Sequence, residues 1–220
     1  LKAFDLIARE WDKHRTTPSP ILPYFLEMIP AKGVSLDAGC GNGRNLVEIA
    51  RKSSFTYGVD SSAEMLKHAE KRVQEAGVAS RVKLFNANVS DMPIETGSID
   101  SAFYLAVLHH LRTASAREKA FKEMHRVLRL TGAAFLTVWN KHQPKFSELL
   151  QNGKNDCFVA WKLGDGKVVK RFYHFFDETE LRELAEKTGF RSVEFFCEKK
   201  QGKLHSKEGA NNLCMILRKS

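Results

Sequence analysis

Short apolar runs alternate along this chain with stretches whose apolar residues recur every third or fourth position. A period of two belongs to strands and one of 3.6 to helices, so the alternation predicts an α/β fold: a parallel sheet with crossover helices. Strands are expected at 34–38, 55–59, 82–87, 99–105, 133–139, 191–197 and 213–217. Helices are expected from the group Pro18, Pro20 and Pro23 to about Ile29, over 45–52, and from Ser61 to near Gly77. Two more run from Ser115 through Phe121, Met124 and Leu128, and from Asp177 to just short of Gly189. Ser61 with Glu64, Ser115 with Glu118 and Asp177 with Glu180 have capping-box spacing. The stretch from Asn140 to about Lys167 reads as irregular, within a basic insertion at about 140–170, and 198–209 reads as a basic loop. No repeat or linker interrupts the chain, so 1–220 is read as one domain.

The first expected strand breaks into Asp37-Ala38-Gly39-Cys40-Gly41-Asn42-Gly43 and then opens a helix. Glycines there let the backbone turn sharply and approach a ligand. The spacing differs from the G-x-G-x-x-G loop that seats a pyrophosphate. Asp37, just before the loop, repels a phosphate and attracts an ammonium group. Asp60 ends the second strand, where a carboxylate accepts both hydroxyls of a ribose. Asn88 follows the third strand, where a purine edge would lie. Acceptors at the ends of three successive strands point to a ligand carrying an amine, a ribose and a base.

Composition narrows the class. Hydrophobic residues make up 43% and charged residues 28%, the balance of a globular protein. No apolar run approaches the length of a bilayer span, and no basic-then-apolar leader opens the chain, so a cytoplasmic protein is expected. The four cysteines (Cys40, Cys157, Cys197 and Cys214) form no C-x-x-C pair, so reduced thiols are expected and no metal site. Residues 1–100 hold 13 Lys and Arg against 13 Asp and Glu, whereas 101–220 hold 22 against 13 and carry the whole net charge of +9. A field of that sign concentrates polyanions on the second half, away from the glycine loop.

On the glycine run with Asp37, Asp60 and Asn88, the chain resembles class I methyltransferases over nearly its whole length. The resemblance implies a Rossmann-like, seven-stranded, mostly parallel sheet with one antiparallel strand and helices on both faces. It implies S-adenosylmethionine as cofactor, held by Asp37, Gly39, Cys40, Gly41, Asn42, Gly43, Asp60, Ser61, Asn88, Val89 and Leu105. Two positions depart from the family. Asn88 stands where an Asp is usual, its amide oxygen still able to accept from the adenine amine. Leu130-Thr131-Gly132 replaces Pro-Gly-Gly before the fifth strand, a change expected to be neutral.

The acceptor is read from four further clusters: Trp11 to Pro18, Tyr104 to Leu111 with His109 and His110, Val138-Trp139, and Arg171 to Phe176. Together with Asn211 to Leu217, they resemble the family that methylates the carboxylate of carboxymethyluridine at the tRNA wobble position. That family includes the methyltransferase domain of the AlkB-like tRNA modifier. Ser19 stands where the family commonly has Trp. The resemblance implies Arg15, His109, Trp139, Arg171, Tyr173 and His174 as substrate-positioning residues. It also implies a tRNA anticodon stem-loop as partner, and a small zinc-binding activator protein pairing along the third strand. A carboxylate, with an ordinary pKa of about 4, is a nucleophile at neutral pH and needs no general base. An arginine gripping one of its oxygens is therefore expected, with loop bases stacking on exposed aromatics such as Trp139 or Tyr173. Lys141, Lys145, Lys154, Lys162, Lys167 and Lys170, with Lys199, Lys200, Lys203 and Lys207, are expected to meet phosphates. A small-molecule methyltransferase and a non-catalytic RNA-binding module are the alternatives; salt-dependent tRNA affinity separates the first, and cofactor binding the second.

Overall fold

The computed structural model describes residues 2–146, 148–150, 154–198, 204–205 and 210–219. Five parallel strands form its centre: β1 (Val34–Ala38), β2 (Phe55–Asp60), β3 (Val82–Asn86), β4 (Ile99–Leu105) and β5 (Leu128–Trp139). A hairpin, β6 (Asp156–Lys162) with β7 (Val168–His174), stands apart as its own two-stranded sheet. The main sheet is completed by β8 (Phe190–Glu198), β9 (Leu204–His205) and β10 (Asn212–Lys219). Its order is β3-β2-β1-β4-β5-β10-β8-β9. The seven expected strands are all present, and among them β10 alone runs against its neighbours β5 and β8. The two-residue β9 adds an eighth, antiparallel to β8. It falls inside the expected loop 198–209, whose other positions past Glu198 lie outside the described residues.

Among the described residues, six α-helices accompany the sheet: α1 (Lys2–His14), α2 (Leu22–Glu27), α3 (Leu46–Lys52), α4 (Ala63–Glu75), α5 (Ala114–Val127) and α6 (Glu178–Lys187). Strand alternation decides which side each covers. Ala102, Tyr104, Ala134 and Leu136 face Phe121 and Met124 of α5 and Leu181 of α6. The intervening Phe103, Leu105 and Phe135 face Leu22 and Phe25 of α2 and Ile49 of α3. Every residue of β4 is buried, as befits a central strand covered on both faces.

Two caps sit elsewhere than expected. Ser62, not Ser61, caps α4, its hydroxyl accepting from the Met65 amide at 3.2 Å. Thr113, not Ser115, caps α5 by accepting from the Ala116 amide at 3.1 Å. A cap is the last residue with extended backbone, which Ser62 (ψ 111°) and Thr113 (ψ 150°) have. Asp177 caps α6 as expected, accepting from the Glu180 amide at 2.8 Å.

Three further differences bear on the site. Helix α1 was not foreseen; its Ile7 and Ala8 pack on Met65 of α4, with Trp11 leaning on Trp161 and Val169 of the hairpin. Much of the insertion expected to be irregular is that hairpin, with strictly alternating exposure along β6. Finally, Thr131 holds φ +67° in the bulge where β5 shifts register against β4. A β-branched residue is strained in that region, so the exchange in this turn is not a neutral one.

Candidate active site

At the carboxyl ends of β1, β2, β4 and β5 lies a cavity of about 660 Å³. Its floor is the glycine loop. Gly39 has φ +71°, and a Cβ there would fall 2.5 Å from Val107, so backbone conformation and space both demand glycine. Gly41 also has positive φ (+55°), yet a Cβ on it would meet nothing within 4 Å; it lines the cavity. The Gly39 and Cys40 amides both donate to the Val59 carbonyl, at 2.6 and 3.0 Å, tying the loop to β2.

Asp37 lies behind this loop rather than on the cavity wall. It is 2% exposed, and its Oδ2 has no hydrogen-bond partner among the described residues. Burial, reinforced by the nearby Asp60 carboxylate, pushes its pKa up to about 7. A buried acceptor of this kind is completed by a cation, so the residue fits the ammonium of S-adenosylmethionine. Asp60 reaches the cavity with both oxygens already holding a backbone donor: Oδ2 accepts from the Gly41 amide and Oδ1 from the Ser62 amide, each at 2.8 Å. A carboxylate has about four acceptor sites, so room remains for two hydroxyls. Ser61, Val89 and Leu105 line the same wall, as do Gly39, Cys40 and Asn42.

Asn42 and Asn88 carry local tasks the sequence did not reveal. The buried Asn42 amide donates to Asp12 Oδ1 (2.8 Å) and to the Arg15 carbonyl (2.9 Å). Arg72 joins them, donating to Asp12 Oδ1 at 2.6 Å and to the Asn42 carbonyl at 3.0 Å. This clamp holds the end of α1 over the loop. Asn88 Oδ1 accepts from both the amide and the hydroxyl of Ser90, at 3.0 and 2.9 Å. Its oxygen therefore closes its own turn, and what it offers a ligand is the amide NH₂ donor, not the expected acceptor.

The opposite wall is aromatic and cationic. Trp139 stacks on Tyr173 (4.0 Å, 19°) and on Phe146 (4.9 Å, 23°). His109 also stacks on Tyr173, at 5.2 Å. Tyr173 is only 2% exposed, so it is a structural plate and not the exposed base platform foreseen for it. His109 Nδ1 accepts from the Trp139 amide at 3.2 Å, and burial holds its pKa well below the ordinary value. His110 Nδ1 lies 3.1 Å from the Phe172 carbonyl, and burial lowers its pKa to about 4. Both rings are thus neutral at pH 7.

Arg171 is 6% exposed. Its Nη1 donates to the Tyr173 hydroxyl at 2.6 Å, and its guanidinium lies 5.0, 5.2 and 5.6 Å from the Trp161, Tyr173 and Trp11 rings. No carboxylate meets it among the described residues, and its Nε has no partner there. Arg15, 5.3 Å over Trp11, lines the same cavity. His174 is elsewhere: it lines no part of the cavity, and its ring nitrogens sit 2.5 Å from Asp156 and 2.9 Å from Glu180, joining the hairpin to α6.

Sequence reading missed two charged residues of the cavity lining. Arg44 donates to the Thr17 carbonyl at 3.0 Å, and its place directly after Gly43 was the available signal. Glu198 is 2% exposed and accepts from Asn212 Nδ2 at 2.7 Å; no local signal marked it. Among the described residues, no group of three or more His, Cys, Asp or Glu is suited to a metal ion.

The family model described as "Methyltransferase domain" matches residues 36–136. A protein of Encephalitozoon cuniculi named as a methyltransferase is 32% identical over 87% of this chain and 86% of its own length. An Arabidopsis thaliana tRNA (carboxymethyluridine(34)-5-O)-methyltransferase is 36% identical over 67% of the chain, which spans 34% of that protein. Among solved structures, an S-adenosylmethionine-dependent methyltransferase of Methanosarcina mazei superposes with a TM-score of 0.74 at 20% identity, covering 90% of this chain and 97% of that one. A Haloferax volcanii structure described as a complex between a methyltransferase activator and a methyltransferase also superposes, at 0.74 and 14% identity, over 99% of this chain and 96% of that one.

Proposed function

The chain belongs to the S-adenosylmethionine-dependent methyltransferases, and we propose that it methylates the carboxylate of carboxymethyluridine at the tRNA wobble position, forming the methyl ester. The observation that carries this reading is the buried, acid-free guanidinium of Arg171 in the cavity wall. An unpaired buried cation is costly, and an entering anion relieves that cost. A carboxylate fits the planar fork, with Arg15 alongside as a second cation.

The bound cofactor supplies an electrophilic methyl group on a sulfonium. Transfer of that group to a carboxylate oxygen would leave the electron pair of the broken carbon–sulfur bond on sulfur, giving S-adenosylhomocysteine. No proton moves, which suits a wall whose two histidines are neutral. Neutral rings also add no repulsive charge beside a sulfonium. Arg171 and Arg15 orient the acceptor, Asp60 and Asn88 would hold the nucleoside end of the cofactor, and the buried Asp37 carboxylate behind the loop would complement its ammonium charge; the catalysis is positional. Trp139, Tyr173 and His109 form the rigid plate against which the acceptor is aligned.

The basic second half supports an anionic macromolecule as acceptor, and the name of the Arabidopsis relative points to tRNA. Among the described residues, edge strand β3 pairs only with β2, and it carries Phe85, which stacks on Tyr57 at 6.0 Å. Exposed Lys83 lies 4.9 Å over that ring and leaves the backbone edge open. An unpaired edge beside apolar side chains is a seat for an added strand, which supports a small activator protein as heterodimer partner. No helix among the described residues is long and apolar enough to cross a membrane.

The test is incubation with labelled cofactor and bulk tRNA from cells lacking this enzyme, with and without an activator, followed by nucleoside analysis. Label in the methyl ester of carboxymethyluridine is the expected result. Label confined to another nucleoside, or transfer only to small molecules, refutes the reading. A stable monomer fully active alone removes the partner.

A further inference from the structure

The two faces of hairpin β6–β7 carry different chemistry. Alternation turns Val159, Trp161, Arg171 and Tyr173 into the cavity. The same register turns the intervening residues outward and pairs Phe158 with Phe172, Ala160 with Lys170 and Lys162 with Val168. Phe158 is 51% exposed, a large apolar ring left in water. It meets Phe172 edge to face at 5.8 Å, and the exposed Arg112 guanidinium lies 5.4 Å from the first ring and 5.8 Å from the second. The result is an exposed Phe158 ring braced edge to face by Phe172 and flanked by a guanidinium, with two lysines farther along the same face.

Charge says what suits this face. Both acids of the hairpin are engaged elsewhere: Asp156 holds His174, and Asp165 holds Lys167 at 3.0 Å. Arg112, Lys162 and Lys170 have no acidic partner among the described residues. An apolar protein surface would leave those three cations facing an apolar neighbour, a costly burial. A nucleic-acid strand satisfies both features, with a base on the exposed ring and phosphates on the lysines. Position agrees as well. A polymer that delivers one residue into the cavity carries its neighbours over the rim, and this hairpin is a wall one strand layer thick.

We propose that the outer face of β6–β7 binds the single-stranded loop of the substrate RNA, a base next to the methylated residue stacking on the exposed Phe158 ring, which Phe172 and Arg112 brace, while Lys162 and Lys170 meet the adjoining phosphates. The proposal rests on the reading of the acceptor as tRNA, and its test is a binding measurement that requires no turnover. Affinity of the full chain for bulk tRNA is measured across a salt series for wild type, Phe158→Ser and the Lys162→Ala/Lys170→Ala double variant. Phe158→Ser should raise the tRNA Kd about tenfold. The double variant should make the slope of log K against log salt shallower by roughly one to two. S-adenosylhomocysteine affinity and melting temperature should stay unchanged in both, since these side chains face solvent. Wild-type Kd and slope in both variants would overturn the proposal even if the enzyme methylates tRNA. A change of mass in solution in Phe158→Ser, with tRNA affinity intact, would also overturn it, because the face would then belong to a protein or a second copy. Weakened tRNA binding in the variants with no carboxymethyluridine product in wild type would sustain this surface and sink the reaction assigned above.

Discussion

Replacing Arg171 with Met separates a substrate grip from a structural strut. Methionine keeps an unbranched stem of similar length among Trp11, Trp161 and Tyr173 while removing the charge. On the loss side are the 2.6 Å bond to the Tyr173 hydroxyl and three ring contacts at 5.0–5.6 Å. Cation–π contacts contribute about 0.5–2 kcal/mol each. On the gain side, a buried cation with no acid partner is removed, and its desolvation costs several kcal/mol. The two oppose each other, so stability should move by no more than about 2 kcal/mol. Catalysis has no such offset: a charge-assisted bond to a carboxylate is worth about 1.5–3 kcal/mol, so kcat/KM on tRNA should fall roughly 10- to 150-fold. Calorimetry with S-adenosylmethionine should report affinity within about twofold of wild type, because Arg171 sits on the wall opposite the glycine loop. Arg171→Lys should recover only part of the activity, its ammonium lacking the fork. Unchanged kcat/KM, or a loss of cofactor affinity equal to the loss of turnover, would refute the assignment.

Asp37 titrates with a pKa raised to about 7, and a cationic ligand favours its ionised form, so cofactor affinity should climb between about pH 6 and pH 8; a flat profile in wild type, or a climbing one in Asp37→Asn, argues against this. A raised carboxyl pKa gives stability below its unfolded value that is lost as pH rises through the folded one, so ligand-free Asp37→Asn should out-melt wild type at pH 8. Gly39→Ala and Gly41→Ala share the positive-φ penalty of about 1–2 kcal/mol, but only Gly39 adds a 2.5 Å clash; equal melting temperatures would refute the packing argument. Thr131→Gly should stabilise the protein by about 1 kcal/mol by relieving φ +67°, and a lower melting point would show the turn unstrained.

Much of the frame was legible in the chain because the signals were local. Strand runs such as Val34–Ala38 and Ile99–Leu105 agree with the structure to the residue, since turn signals close by in the chain bound them, Gly33 and Gly39 for the first and Gly97-Ser98 ahead of the second. The positive-φ glycines of the loop are just as local: each is favoured by the backbone conformation at its own position. Errors of one or two residues at the caps Ser62 and Thr113 arose where two hydroxyls compete for one role, and backbone extension alone chooses between them.

Only the tertiary structure decided what the side chains around that loop do. Asn88 was read as an acceptor, but Ser90 takes its oxygen. His174 was grouped with Arg171 and Tyr173, yet one strand step turns it from the cavity toward Asp156 and Glu180. Helix α1 gave no sign of covering the site because its clamp joins Asp12 to Asn42 and Arg72, residues 30 and 60 positions away. Arg171 itself is ordinary as a letter in the sequence. It becomes a candidate anion seat only when folding strips away its water, lays three rings against it and brings no acid within reach, and that environment is set by residues far from it along the chain.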